Sequence, residues 1–167
     1  MFAIKYLSIF LMLVLGITVF TGCSDDEEIV TPTPAAKSRV LVTHASPDAP
    51  GVDLLVDNTV AGTNLTFPNS TGYLEVNSGT RNVKVNVAGT STTAIEANLT
   101  LTADKNYSVF AVNNVASIEA VVLEDDLTTP ASGKAHVRFL HLSPNAPAVD
   151  ITLSDGTVVF GDYTFKE

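Results

Sequence analysis

Two pairs of residues with chemically active side chains stand out in the sequence. His44 and Asp53 form the first pair, and His141 and Asp150, at the same spacing, form the second. A metal site would need at least two further ligands, and covalent catalysis would need a nucleophile with a base in reach. The other motif residues are mainly Ser and Pro: Ser46, Pro47, Asp48 and Pro50 in the first copy, and Ser143, Pro144, Asn145 and Pro147 in the second.

Calcium is the metal that these oxygen-bearing side chains would suit, and Asp48 with Asp53 is a weak candidate site. Ca²⁺ takes roughly six to eight oxygen ligands, which is more than this segment offers. Asn145 replaces the carboxylate of Asp48 in the second copy. The alternative is structural: a neutral buried histidine bonds the backbone of a turn in which prolines leave polar groups unpaired. We favour this alternative, and predict no metal, no cofactor and no catalytic residue.

The two pairs belong to an internal repeat. Residues 38–67 return as residues 135–165, with His44 aligned to His141 and one residue gained in the second copy after Val56. The offset from His44 to His141 is 97 residues, about the size of one immunoglobulin-like domain. We therefore predict one complete copy at 38–129 and the start of a truncated copy at 130–167. The chain is expected to be a fragment of a longer protein; alternatively, the last hairpin completes the first sandwich.

The elements that position the motif are predicted to be strands. Apolar and polar residues alternate over 39–44, 82–87 and 95–101, and turn residues separate such runs. No helical periodicity appears after Cys23. The pattern predicts an all-β, immunoglobulin-like antiparallel β-sandwich followed by the first strands of a second one.

Strand alternation also predicts side-chain directions. His44 shares its side with Val40 and Val42, and His141 shares its side with Val137 and Phe139. We therefore expect both imidazoles on the apolar face, and both Asp53 and Asp150 to face outward or toward a neighbouring loop. The acidic run of residues 124–126 is interpreted as a solvated strand end.

Three segments carry a family resemblance. They are His-Ala-Ser-Pro-Asp-Ala-Pro at 44–50, Glu-Asp-Asp-Leu at 124–127 and Val-Arg-Phe-Leu-His-Leu-Ser-Pro at 137–144. Together they resemble the bacterial domain of unknown function 4397 over residues 39–165. The resemblance implies secreted or lipid-anchored envelope proteins with β-rich tandem domains and no established activity.

The N-terminus has the order of an export signal. One cation, Lys5, precedes an apolar run over 7–20, which as a helix would reach about 21 Å and fall short of the ~30 Å membrane core. Small residues then lead to the only cysteine. This ending resembles the lipobox of bacterial lipoproteins, so we predict a signal peptide at 1–22, cleavage between Gly22 and Cys23, and lipidation of Cys23.

The residues after Cys23 are predicted to be an acidic, proline-containing tether at 23–37. The run directly after the cysteine resembles the surface-export signal of some Gram-negative lineages: Ser24, Asp25, Asp26, Glu27 and Glu28. We therefore expect an outer-membrane lipoprotein exposed at the cell surface.

Charge narrows the classes of partner. The chain has 9 Lys+Arg against 18 Asp+Glu, for a net charge of −9, which disfavours nucleic acid as a partner. The expected function is a non-enzymatic binding or structural module held on a membrane by its lipid, with an unidentified protein or glycan partner. The alternatives are a metal-dependent or hydrolytic enzyme using the His44/Asp53 region, and a periplasm-facing subunit of an envelope complex.

Overall fold

The computed structural model describes residues 35–167, which belong to one compact unit. The predicted signal peptide, Cys23 and residues 24–28 lie outside the described residues. Within 35–167, no helix is long and apolar enough to span a membrane. The elements are, in order, β1 (Lys37–His44), β2 (Val52–Val56), β3 (Thr59–Leu65), β4 (Ser70–Asn77), β5 (Gly79–Val87), β6 (Thr93–Leu101), β7 (Asn106–Val112), a 3₁₀ helix (Val115–Ser117), β8 (Glu119–Asp125), β9 (Val149–Thr152) and β10 (Val158–Tyr163).

Eight of the strands form two four-stranded sheets, with orders β4-β1-β7-β8 and β3-β2-β5-β6. Neighbours are antiparallel except β1 and β7, which run parallel. The core lies between the sheets and takes side chains from both: Val40, Val42, Val52, Leu54, Val85, Leu101, Tyr107 and Val109. The predicted all-β sandwich is confirmed, with the parallel β1–β7 pair as a departure from a purely antiparallel fold.

Alternation explains why β1 forms and how it ends. Val40, Val42 and His44 are buried at every second position of the strand, as a period of two places them. By contrast, the edge strand β3 has no such clean alternation, because most of its side chains are exposed. Strand β3 was therefore not visible in the sequence pattern, whereas the edge strand β6 was.

The second copy departs from the prediction at its first strand. Residues 134–141 have the sequence pattern of β1 but form no strand. Strand β1 is held between β4 and β7, and residues 134–167 contain no counterparts of those two strands. Val137, predicted to lie on the apolar face, is 73% exposed, whereas its counterpart Val40 is 6% exposed. Only β9 and β10 form, as a separate two-stranded sheet.

The second copy instead covers the outer edge of β8. Its basic side chains contact β8 and the residue after it: Arg138 with Asp125 and with the carbonyl of Glu124, His136 with Asp126, and Lys166 with Glu119. Lys166 N–H bonds the carbonyl of His141, so the contact of Lys166 with Glu119 lies beside residue 141. From residue 136 to residue 141, the contacted residues therefore run backward from Asp126 to Glu119. The segment therefore runs antiparallel to β8, joined to it by side chains.

Candidate functional site

The repeated motif forms the turn that leads from one sheet to the other. β1 ends at His44 in the first sheet, and β2 begins at Val52 in the second. His44 is fully buried and His141 nearly so, as alternation along the chain predicted. Both imidazoles therefore lie inside the fold, at the base of their turns.

Each imidazole bonds a carbonyl of its own turn. His44 Nε2 lies 3.0 Å from the carbonyl oxygen of Pro50, and His141 Nε2 lies 3.0 Å from that of Pro147. Because a carbonyl only accepts hydrogen bonds, Nε2 carries the proton in both residues. Ser143 N–H donates to His141 Nδ1 at 3.3 Å, which requires a lone pair on that atom. His141 is thus the neutral Nε2–H tautomer.

The backbone of the two histidines makes a second shared contact. His44 N–H donates to the carbonyl of Asn69 at 2.9 Å, and His141 N–H donates to that of Glu167 at 2.7 Å. Asn69 and Glu167 are equivalent positions once the inserted residue is counted. Each histidine therefore ties the end of its segment both to its own turn and to the loop that follows the first hairpin.

The aspartate of the motif accepts hydrogen bonds from backbone N–H groups of neighbouring segments. Asp53 Oδ1 accepts from Asn64 N–H at 2.8 Å, and Oδ2 accepts from Gly89 N–H at 2.9 Å. These bonds, that from Asn64 first, lower the pKa of the Asp53 carboxyl below its usual 3.8. In the second copy, Asp150 Oδ1 accepts from Asp162 N–H at 2.7 Å. Asp53 of β2 thus bonds the neighbouring strand β3 and the loop after β5, as the predicted direction toward a loop required in part, whereas Asp150 of β9 bonds the neighbouring strand β10.

Gly51 lies beside the two backbone contacts of Asp53, which we call the Asp53 clasp, and only a glycine fits there. A Cβ on Gly51 would lie 2.4 Å from Asn64 Oδ1, so a side chain at this position would displace Asn64. Asn64 also has a positive φ of 49°, a conformation that Asn tolerates better than most residues. The position of the Asn64 N–H group, which donates to Asp53, thus depends on the glycine at position 51 and the asparagine at position 64.

Asp48, the other calcium candidate, has a separate partner. Its Oδ1 accepts from Val115 N–H at 2.8 Å, at the start of the 3₁₀ helix. Its counterpart Asn145 instead accepts from Ser143 Oγ at 3.5 Å. Within residues 35–167, no group of three or more His, Cys, Asp or Glu is placed to hold a metal ion. Asp48 and Asp53 each bind backbone of a different loop.

A polar network missed by sequence reasoning surrounds Asp125. This side chain is only 9% exposed, so the acidic end of β8 is not a solvated terminus at this residue. Tyr73 OH and Ser108 Oγ both donate to its Oδ2, at 2.8 and 2.7 Å, and the Arg138 guanidinium pairs with Oδ1. Burial, and then the bond to Asp125, raise the pKa of Tyr73. Arg39 also lies 5.6 Å from the Tyr73 ring centre.

Sequence comparison gives one match. The family model described as "Domain of unknown function (DUF4397)" matches residues 38–152, a range that holds the whole first copy and the second copy up to the end of β9. No curated protein matches the chain.

The His44 contact predicts a stability effect. His44→Ala removes the fully buried imidazole and its hydrogen bond to the Pro50 carbonyl, so we expect the free energy of unfolding, measured by chemical denaturation, to fall by about 1–3 kcal/mol. His44→Gln keeps an N–H donor near the same position and should lose less. An unchanged free energy of unfolding in His44→Ala would contradict the structural role.

The Asp53 clasp predicts a pH dependence. Because the folded-state pKa is lowered, the carboxylate stabilises the fold above its ordinary pKa of 3.8, and this contribution is lost as the pH falls through the lowered value. Asp53→Asn should therefore have a lower melting temperature than the wild type at pH 7, with the gap closing in acid. Asp150→Asn, which loses one such bond, is the matched control. A gap that is the same at all pH values would refute the clasp.

Proposed function

Because this chain belongs to the DUF4397 family, whose model matches it over residues 38–152, we propose that it is a lipid-anchored, non-enzymatic binding or structural module of the cell envelope. The observation that carries the proposal is the set of hydrogen bonds made by the histidine and aspartate of the repeated motif. In both copies, the histidine Nε2 bonds a carbonyl of its own turn, and the aspartate carboxylate accepts from a backbone N–H of the second strand of its own hairpin.

This bonding favours a structural role over the hydrolase alternative. A general base must reach the proton that it removes from a substrate or water. His44 is fully buried, and its Nε2 proton is directed at the Pro50 carbonyl. Both oxygens of Asp53 accept from backbone N–H groups. What remains for recognition is the outer surface of the sandwich, its strand edges and its loops.

The anchor part of the proposal is supported by the sequence order of the first 28 residues. The predicted tether of residues 23–37 would reach at most about 50 Å if fully extended. It leads into β1, which begins at Lys37. A lipid on Cys23 would thus hold the sandwich at a membrane and leave it free to meet partners.

Labelling tests the anchor. Cells that express the wild type should incorporate labelled palmitate into the chain, and Cys23→Ala should abolish incorporation, because the thiol is the acceptor. Ser24→Ala, next to the acceptor, is the matched control and should keep the label. Incorporation that survives in Cys23→Ala would eliminate the anchor.

Surface exposure is tested by protease treatment of intact cells. The tether should be cut and the sandwich released, and replacement of the four acidic residues at 25–28 by alanine should protect the chain. A wild-type chain that is fully protected in intact cells, yet cut after the outer membrane is opened, would assign it instead to the periplasm-facing alternative.

A further inference from the structure

One side of the first copy ends in two strand edges. β4 is the outer strand of one sheet, and β3 is the outer strand of the other. The two edges approach each other at Gly62 and Thr71, where a Cβ on Gly62 would lie 3.7 Å from the Thr71 side chain. Both strands belong to the sandwich of residues 37–125, so this side is formed by the first copy alone.

A cleft of about 420 Å³ lies between these two edges. Its aliphatic lining comes from three strands: Val56 of β2, Val60 and Ala61 of β3, and Leu74 and Val76 of β4. Val56, Leu74 and Val76 also line the interior of the sandwich. An aliphatic side chain placed in the cleft would therefore extend the packing of the core.

Strand β4 has a regular edge beside this cleft. Its pairing with β1 is uninterrupted from Tyr73 to Asn77, whereas the pairing of β3 with β2 shifts register twice. Irregularities of this kind protect a strand edge from further pairing. Of these two strands, β4 is therefore the one that can accept another strand.

Hydrogen bonds at the start of β1 show which groups of β4 point outward. Ser78 N–H donates to the Ala36 carbonyl at 2.8 Å, so bonded pairs with β1 follow at every second position of β4, at Val76 and Leu74. The N–H and C=O groups of Glu75, which lies between them, point away from β1. A strand added at this edge would thus bond the backbone of Glu75 directly.

The side chain of Glu75 determines which charge such a strand should carry. It is exposed and lies on the outer face of its sheet, between Leu74 and Val76, which pack against the core. Within residues 35–167, no cationic side chain forms an ion pair with Glu75. Arg39 is its partner position on β1, yet Arg39 Nε donates to Asn106 Oδ1 at 2.7 Å. Because opposite charges on facing strands attract, a cation is favoured opposite Glu75.

We propose that the edge of β4 binds an extended segment of a partner protein, antiparallel to β4, in which a Lys or Arg stands between two aliphatic residues. The cation lies opposite Glu75, and the two aliphatic side chains enter the cleft beside Leu74 and Val76. Main-chain hydrogen bonds at the edge supply affinity, and the aliphatic–cation–aliphatic pattern supplies selectivity. This inference rests on the proposed role as a binding module and states the chemistry of its partner.

Charge argues against a second copy of this chain as the partner. Two β4 strands paired antiparallel over Tyr73 to Asn77 would set Glu75 opposite Glu75, and like charges directly opposite each other are destabilising. The net charge of −9 adds a general repulsion between two copies. A segment with a cation is instead attracted to the same edge.

Two labelled peptides of opposite charge test the proposal: Ser-Thr-Val-Lys-Val-Thr-Ser and Ser-Thr-Val-Glu-Val-Thr-Ser. The full chain is reconstituted in phosphatidylcholine vesicles, and binding is followed by fluorescence anisotropy, with protein-free vesicles as the blank. We expect the wild type to bind the lysine peptide roughly fivefold or more tightly than the glutamate peptide. Glu75→Lys should reverse this preference, and because Glu75 is exposed the substitution leaves the fold intact.

The matched control is Glu96→Lys, which makes the same change of charge at an exposed position of β6, in the other sheet, and should keep the wild-type preference. A second control tests the main-chain pairing. A lysine peptide methylated at the backbone nitrogen of its lysine cannot donate to the Glu75 carbonyl, and should bind roughly fivefold or more weakly.

Several results would overturn the inference: no binding of either peptide, equal binding of both, an unchanged preference in Glu75→Lys, or full binding of the methylated peptide. A cross-linked dimer that the lysine peptide dissociates would also overturn it, by assigning the edge of β4 to a second copy. The palmitate and protease assays do not involve this edge, so failure of the inference is distinguishable from failure of the proposed function.

Discussion

The whole sandwich depends on a sharp change of direction between β1 and β2, which lie in different sheets. Two prolines make that turn rigid, but they also remove N–H donors from it. The buried imidazole of His44 supplies a donor to the Pro50 carbonyl from the end of β1. Asp53, the second residue of β2, then bonds the backbone of Asn64 in β3 and of Gly89 after β5. The side chains that look catalytic in the sequence therefore form the hydrogen bonds that hold this turn and its surroundings.

The second copy shows how locally this arrangement is encoded. Residues 134–167 lack most of the strands of a sandwich, yet His141, Asp150 and Glu167 reproduce the contacts of His44, Asp53 and Asn69. The motif therefore builds its turn and hairpin without the rest of the fold. What it does not build is the first strand: residues 134–141 have the pattern of β1 but no neighbours with which to pair.

The same distinction separates what the sequence predicted from what it did not. Alternation and turn residues predicted the sandwich, because a half-buried strand of this kind carries its period in its own residues. The direction of His44 followed from the same rule. The surroundings of Asp125 could not be predicted, since Tyr73, Ser108 and Arg138 come from β4, β7 and the second copy. Such a network depends on which strands lie side by side, and a single sequence does not state that.

The side-chain cover over β8 has a consequence for crowding. An uncovered edge strand can recruit the edge of another molecule and start sheet-to-sheet aggregation. Here the Arg138 guanidinium donates a hydrogen bond to the Glu124 carbonyl. The ion pairs of Arg138 with Asp125 and of Lys166 with Glu119 lie along the edge of β8 that another strand would approach. Contacts this short lie well inside the screening length of about 8 Å at physiological salt. The segment of residues 136–141 therefore shields the edge of β8 from pairing with the sheet of another molecule.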